Sequence, residues 1–168
     1  RQTDPTQELL DAAIRIGEQK DSGLYASRIA TQRWVMCASP DYIARYGQPA
    51  DLNALPQHRL IARYHKQQPA CWAQILSVPL MSRCSMVLRC DDFTAQRQAA
   101  LLGLGLTFLP NWVVGPDIQA GRLLQVLEDP RQEQQGIYLL RPVAKVSARL
   151  NLFITLLKQS IGQPPSWE

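Results

Sequence analysis

The sequence lacks the features of a membrane-spanning chain, of a zinc protein and of a secreted disulfide-linked protein. No apolar run approaches the roughly 20 residues that a spanning helix needs, and no signal peptide is recognisable. Four cysteines form no C-x-x-C pair and stand apart from both histidines; they are Cys37, Cys71, Cys84 and Cys90. We therefore predict no metal site, no disulfide framework and a reducing, cytoplasmic location.

The charged residues also lack a concentrated basic segment. The 18 lysines and arginines are scattered singly, so the net charge of +4 indicates a solvated surface rather than a patch for nucleic acid. With 46% apolar residues, the 168-residue chain can form one soluble domain or two small lobes that share a cleft. Because it begins in a polar stretch without Met, we expect a fragment of a longer chain.

Strand and helix signals alternate along the chain. Strands are predicted over residues 12–17, 24–30, 33–39, 59–64, 78–90, 106–110, 122–127 and 136–142. Helices are predicted over 40–47, over 91–103, from residue 111 until Pro116 interrupts it, and over 146–161. In the last helix, one packing face is predicted from Val146, Leu150, Phe153, Leu157 and Ile161. The alternation is typical of an α/β protein with largely parallel sheets.

Two strand-to-helix junctions carry helix-start signals. Ser39 can cap a helix that Pro40 begins, and Asp91 or Asp92 can cap the helix that Gly103 ends. Right-handed crossovers bring successive helix N-termini to the carboxyl edge of a parallel sheet, where α/β proteins bind ligands. We therefore expect both junctions to face one ligand cleft.

The two glycines in the stretch GLGLTFLPNWV, residues 103–113, look like those of a phosphate-binding loop. A dinucleotide-binding loop needs its glycines between a strand and the helix that follows it. Here Gly103 ends a helix and Gly105 starts a strand, so the glycines predict a C-cap and a tight reversal. Neither a nucleotide nor another cofactor is expected. No serine stands in a glycine elbow and neither histidine has a readable catalytic partner, so the sequence does not indicate an enzyme.

Six short motifs, taken in this order, resemble the effector-binding domain of LysR-type transcriptional regulators. They are DAAIRIG, DSGL, CASPDYI, LGLGLTFLP, GRLLQVL and IYLLRP, at residues 11–17, 21–24, 37–43, 102–110, 121–127 and 137–142. The resemblance covers nearly the whole chain. It implies two Rossmann-like lobes with mixed sheets, as in type 2 periplasmic binding proteins. An incomplete first lobe would comprise 1–34 plus 136–168, and the second lobe 35–135.

The same resemblance implies the partners. A small-molecule effector would bind in the cleft between the lobes. DNA would be bound only through a winged helix-turn-helix that is absent from this chain. The protein would be a homodimer or homotetramer without membrane contact. The opening strand and helix of the first lobe are also absent, and in the family their polar loop supplies half of the effector contacts.

Eight residues are candidates for effector contact: Arg15, Ser39, Pro40, Tyr64, Cys90, Asp91, Asp92 and Phe93. Helix capping explains Asp91 and Asp92 as well as ligand contact does, and core packing is the alternative for Phe93 and Tyr64. Two carboxylates at this place would repel an anionic effector, unless a nearby cation compensates. The candidate cations are Arg15, Arg63 and Arg89.

Two other functions stay open. A transport-type solute-binding domain shares the bilobal fold but needs export, and four unpaired cysteines count against it. A redox-sensing regulator could use Cys84 and Cys90, although buried and inert thiols are the common case.

Overall fold

The chain forms two compact units. The computed structural model describes residues 11–18, 23–65, 68–69, 71–90, 92–142, 146–162 and 164–167, with the backbone alone for 64, 65, 68 and 69. One unit comprises Arg1–Gln32 and Gln134–Ser166, and the other comprises Arg33–Glu133 with Trp167. The chain therefore passes from one unit to the other after Gln32 and again after Glu133.

Eight strands and five α-helices are present in the described residues. The strands are β1 (Ala13–Ile16), β2 (Tyr25–Ala38), β3 (Arg59–His65), β4 (Gln68–Pro69), β5 (Ser85–Cys90), β6 (Thr107–Pro110), β7 (Leu124–Leu127) and β8 (Gln134–Arg141). The helices are α1 (Pro40–Tyr46), α2 (Val78–Met81), α3 (Phe93–Leu101), α4 (Asn111–Gln119) and α5 (Ala148–Ile161), and 3₁₀ turns cover Leu52–Gln57 and Trp72–Gln74.

The first unit has a small sheet, in which β1 and β8 are antiparallel, and one helix. Strand β8 lies between β1 and β2, and its register with β1 runs from Ala13 opposite Leu140 to Ile16 opposite Ile137. Helix α5 begins after Ser147, whose hydroxyl accepts a hydrogen bond from the Leu150 amide. None of its residues is fully buried.

The packing face of α5 differs from the predicted one at two positions, because Val146 precedes the helix and Phe153 is exposed. Leu150, Leu157 and Ile161 are half-buried as predicted, but Phe153 is 50% exposed and the fourth half-buried apolar residue is Ile154. Phe153 and Ile154 both lie at helical spacing between Leu150 and Leu157, so the period of the pattern does not by itself choose between them.

The second unit has a mixed sheet. Strands β3 and β5 are parallel, and a parallel bridge between Leu60 and Leu106 joins the start of β6 to β3. The last part of β2, in contrast, runs antiparallel to both β6 and β7. The prediction of largely parallel sheets is therefore correct for β3, β5 and β6 and wrong for the antiparallel pairs β1–β8, β2–β6, β2–β7 and β3–β4.

Both faces of this sheet are covered, because alternate residues of β2 belong to two different buried clusters. Met36 and Ala38 pack in a cluster with Tyr42 and Trp72, on the side of α1 and the 3₁₀ turns. On the other side, Val35 and Cys37 pack with residues of α3 and α4 such as Ala99, Ala100 and Val114. A sheet buried on both faces leaves its edges for contact with a ligand.

Three predicted elements are wrong in detail. Residues 24–30 and 33–39 are one continuous strand, and residues 78–81 are helix rather than strand because Ser77 caps a turn at the Leu80 amide. Pro116 does not interrupt α4, which continues to Gln119. A proline removes one backbone donor, yet its carbonyl still accepts from the Ala120 amide at 3.1 Å, so the helix resumes after it.

Candidate functional site

Three strand ends and two helix starts meet at one edge of the second unit. Because β3 and β5 are parallel, with Arg63 opposite Cys90, their carboxyl ends lie side by side. Strand β6 is parallel to β3 and ends at Pro110, immediately before α4. Trp34 is paired with Pro110, so the beginning of the second-unit part of β2 lies at the same edge.

Ser39 and Pro40 lie at the opposite edge, so the predicted common site for the two junctions is wrong. Strand β2 is antiparallel to β6, and its carboxyl end therefore points away from Phe93. A Cβ on Gly103, which follows α3, would lie 3.3 Å from the Ser39 hydroxyl. The nine residues of α3, roughly 14 Å of helix, thus separate Ser39 from Phe93.

Ser39 is a buried helix cap. Its side-chain oxygen accepts a hydrogen bond from the Tyr42 amide at 3.1 Å, and the residue is 3% exposed. Pro40 takes the first helical position and Gly47 ends the helix at a φ of 77°. The predicted capping of α1 is confirmed, and capping accounts for the residue types at both positions.

An aromatic and basic cluster occupies the carboxyl edge of the sheet. We call it the Phe93 cluster, and it consists of Trp34, Arg63, Phe93 and Trp112. The ring of Phe93 meets Trp34 edge-on at 6.0 Å between centroids and Trp112 edge-on at 5.8 Å. The guanidinium carbon of Arg63 lies 5.2 Å from the Phe93 centroid. Such contacts fix the orientation of each ring, so the surface is preorganised.

Arg63 and Asp92 bring opposite charges to this edge in different ways. The Asp92 carboxylate accepts a hydrogen bond from the Ala95 amide at 2.7 Å, which makes Asp92 the N-cap of α3. Half-buried Arg63 pairs with no carboxylate among the described residues. The carboxylate of Asp92 is therefore directed to the helix, whereas the guanidinium of Arg63 has no counter-ion within that part of the chain.

A groove of about 330 Å³ borders the Phe93 cluster between α3 and α4. It is lined by Phe93, Thr94, Arg97, Trp112, Val113, Pro116 and Asp117. Its floor is an ion network, in which the fully buried carboxylate of Asp117 accepts hydrogen bonds from Arg97 and from Arg122. Burial alone would raise the pKa of Asp117, but these two arginines outweigh it and lower the pKa. With two arginines around one carboxylate, the network has a net positive charge.

The other predicted contact residues do not all lie at this edge. Cys90 is 8% exposed and packs in the cluster beneath α3 and α4. Asp91 and the side chain of Tyr64 lie outside the described residues. Arg15 belongs to β1 of the first unit. Of the predicted residues, Asp92, Phe93 and Cys90 thus share this edge.

Trp34 and Trp112 were missed by sequence reasoning, although each carries a signal. Trp34 stands where β2 passes into the second unit, and Trp112 comes two residues after the strand that ends in LP. Large aromatic residues at such strand ends can flank a ligand surface.

A disulfide between Cys84 and Cys90 is incompatible with the fold. Cys84 precedes β5 and Cys90 ends it, so about six steps of an extended strand, roughly 20 Å, separate them. A disulfide needs Cα atoms closer than about 7 Å. Burial also raises the pKa of the Cys84 thiol, and burial together with Asp117 raises that of Cys37 to about 12, which disfavours the reactive thiolate.

The glycine stretch has a structural role. Gly103 has a φ of 76° after the last turn of α3, as the predicted C-cap requires, and a Cβ on Gly105 would lie 2.5 Å from the Arg59 carbonyl oxygen. Within the described residues, no three His, Cys, Asp or Glu side chains are grouped as metal ligands. No helix in that part of the chain is long and apolar enough to cross a membrane.

The second unit, with aromatic and guanidinium groups at the carboxyl edge of a doubly covered sheet, has the architecture of α/β domains that bind ligands. The chain belongs to the LysR substrate-binding domain family. The family model described as LysR substrate binding domain matches residues 4–162. The chain is the effector-binding domain of a LysR-type transcriptional regulator, with a periplasmic-binding-protein-like fold.

The relatives include solved structures. The HTH-type transcriptional regulator PtxR of Pseudomonas aeruginosa is 30% identical over 160 residues, which cover 93% of this chain and 51% of PtxR. The regulatory domain of CrgA, a LysR-type regulator from Neisseria meningitidis, is 25% identical, with a TM-score of 0.71 over 94% of this chain and 78% of that one. The regulatory domain of AphB in Vibrio vulnificus is 25% identical, with a TM-score of 0.72 over 92% of this chain and 75% of that one. The chain spans about half the length of the curated relatives it matches.

Proposed function

We propose that the chain senses a small metabolite for a DNA-binding regulator and that the metabolite binds at the Phe93 cluster. The observation that carries this proposal is the combination of three partly accessible aromatic rings and a half-buried arginine at the carboxyl edge of parallel strands. Trp112 is 37% exposed, although a tryptophan usually gains from burial. A ligand that covered this surface would remove apolar area from water, at about 25 cal/mol for each Å².

The regulatory output would depend on other parts of the longer protein. A ligand shifts an equilibrium between two conformations only if it binds them unequally. We propose that effector binding changes the arrangement of the two units and so of an oligomer that binds DNA in the cytoplasm. The similar proteins are named as transcriptional regulators, which favours this role over solute transport and over an enzyme.

We expect this chain by itself not to bind DNA specifically. Its basic residues are dispersed, and no helix with clustered base-reading side chains is apparent among the described elements. In a gel shift with the regulator's operator at physiological salt, the isolated chain should leave the DNA free and the longer regulator should retard it. Tight binding by the isolated chain would contradict this expectation.

We also propose self-association through the first unit, as a homodimer or homotetramer. Helix α5 exposes Leu152 by 60%, Phe153 by 50% and Leu156 by 55%. An apolar patch of this kind is typical of a protein interface. Sedimentation at tens of micromolar should show a dimer or larger species, which L156E should weaken; a monomer in the unchanged chain would contradict the proposal.

The effector proposal is tested by a metabolite screen with a matched pair of variants. Metabolites that raise the melting temperature of the chain are measured again in Phe93→Ala and in Tyr46→Ala. Tyr46 is a suitable control because Arg59 lies 6.0 Å from its ring centroid, at the other end of β3. The stabilisation should disappear in Phe93→Ala and persist in Tyr46→Ala. Metabolites that stabilise both variants equally would contradict the proposed site, and the absence of any stabilising metabolite would contradict the proposed function.

A further inference from the structure

We infer that the ligand of the Phe93 cluster is an organic carboxylate with a flat apolar body, an inference that rests on the proposed function and specifies the chemistry of its ligand. The cluster offers two kinds of contact around Phe93: a guanidinium over its ring, and two indole rings in T-shaped contact with it. A carboxylate on the ligand would pair with the guanidinium, and a planar ring or chain would pack against the indole rings.

Arg63 is the group that selects the charge of the ligand. It is half-buried at the end of β3, and no carboxylate of the described chain lies within ion-pair distance of it. Arg97 and Arg122, the arginines of the neighbouring groove, differ from Arg63 because both donate to the Asp117 carboxylate. A guanidinium that is partly removed from water and held against a ring retains donors in a fixed plane, which is the geometry that binds a carboxylate with two hydrogen bonds.

The aromatic rings by themselves would fit another ligand. Trp34, Phe93 and Trp112 could surround a quaternary ammonium group, since cations are attracted to ring faces. Arg63 already lies over Phe93 at 5.2 Å, however, and a second cation beside it would be repelled. The arginine therefore favours an anion and leaves the apolar body of the ligand to the indole rings.

The acidic groups nearby do not reverse this preference. The Asp92 carboxylate accepts a hydrogen bond from the Ala95 amide, and the positive end of the α3 dipole partly offsets its charge. Asp117 is fully buried and is outnumbered by Arg97 and Arg122. On the described part of this surface, the cations exceed the available carboxylates, so an anionic ligand meets a favourable potential.

The test compares acids with the amides of the same shape. Benzoate and benzamide, and naphthoate and naphthamide, are titrated into the 168-residue chain, with binding followed by tryptophan fluorescence and by the melting temperature. Trp34 and Trp112 provide a local signal because both contact Phe93. Each acid should bind at least about tenfold more tightly than its amide, since a hydrogen bond to a charged group contributes about 1.5–3 kcal/mol.

Two arginine variants supply the control. Arg63→Gln should weaken acid binding by about tenfold to a hundredfold and leave the amide unaffected. Arg59→Gln changes the same residue type at the other end of β3, also beside an aromatic ring, and should change neither. The melting curve of each variant without ligand establishes that it folds. Equal binding of acid and amide, equal losses in both variants, or no acid binding up to about 10 mM would overturn the inference.

The inference and the proposed function fail in different ways. A neutral or cationic metabolite whose binding requires Phe93 overturns the carboxylate preference and leaves the effector site in place. An acid that binds through Arg63, but whose addition does not change operator binding by the longer regulator, contradicts the sensing function and leaves the ligand chemistry in place.

Discussion

The guanidinium carbon of Arg63 lies 5.2 Å from the centroid of the Phe93 ring. The two residues come from different elements, the end of β3 and the start of α3, and the parallel pairing of β3 with β5 brings them to one edge. A contact of this kind contributes about 0.5–1 kcal/mol at an exposed site and more where water is excluded. It also orients both groups before a ligand arrives, which reduces the entropy lost on binding.

Removal of the α3 cap should reduce stability. Asp92→Ala deletes the acceptor for the Ala95 amide, which lies at the helix start beside Phe93. We expect a loss of about 1 kcal/mol in the free energy of unfolding, measured in urea, whereas Asp92→Ser should retain most of it because serine is also a good N-cap. An alanine variant as stable as the serine variant would show that the cap contributes nothing.

Neutralisation of Asp117 should destabilise the contact between α3 and α4. Asp117→Asn leaves Arg97 and Arg122 without their buried partner, but both arginines are partly exposed and can be hydrated. We expect a loss of about 1–3 kcal/mol, against a change of less than about 0.5 kcal/mol for the exposed control Glu128→Gln. Since the pKa of Asp117 is lowered by folding, its contribution should be complete at neutral pH and decline below about pH 4, near the unfolded-state pKa. Equal stability of the two variants would contradict this account.

His58 should make the stability depend on mild acid. The Tyr42 hydroxyl accepts from the Arg59 amide at 3.0 Å and shares a hydrogen bond of 2.9 Å with Nδ1 of His58, and burial of the imidazole lowers its pKa. Below about pH 6.5 the unfolded chain binds a proton that the folded chain resists, so stability falls as the pH decreases. Melting temperatures between about pH 7.5 and 5.5 should show this slope in His65→Gln and a reduced slope in His58→Gln. Identical slopes would exclude His58 as the source.

Gly105 should tolerate no side chain. A Cβ there would lie 2.5 Å from the Arg59 carbonyl oxygen, which accepts the Leu106 amide at 2.8 Å where β6 meets β3. We expect Gly105→Ala to cost about 1–3 kcal/mol, because the two backbones must move apart. Gly121→Ala is the control: it has a φ of 70° but open space around it, and it should cost about 1 kcal/mol. Urea denaturation that ranked Gly121→Ala as the more damaging change would contradict the steric argument.

Local signals in the sequence predicted the helices that follow β2 and β5. Ser39, Pro40 and Gly47 delimit α1, and Asp92 begins α3, because the hydrogen bonds that start and end a helix involve residues within one turn. The LysR motifs also identified the family, since they span nearly the whole chain in a fixed order.

The direction of β2 could not be predicted in the same way. Alternation of apolar residues gives the face of a strand but not its orientation, which depends on pairing with β6 far along the chain. Ser39 was therefore assigned to the wrong edge. Trp34 and Trp112 were missed for the related reason that they meet Phe93 only through tertiary packing, whereas Arg63 and Phe93 were each recognised without their contact being foreseen.

Calorimetric titration is the most direct test of the claim that the effector binds at the Phe93 cluster. The metabolite that most stabilises the chain is titrated into the unchanged protein, into Phe93→Ala and into Tyr46→Ala. Loss of a ring that contacts the ligand should raise the dissociation constant at least about tenfold in Phe93→Ala, and Tyr46→Ala should leave it unchanged. A dissociation constant that is the same in Phe93→Ala as in the unchanged chain would contradict the claim.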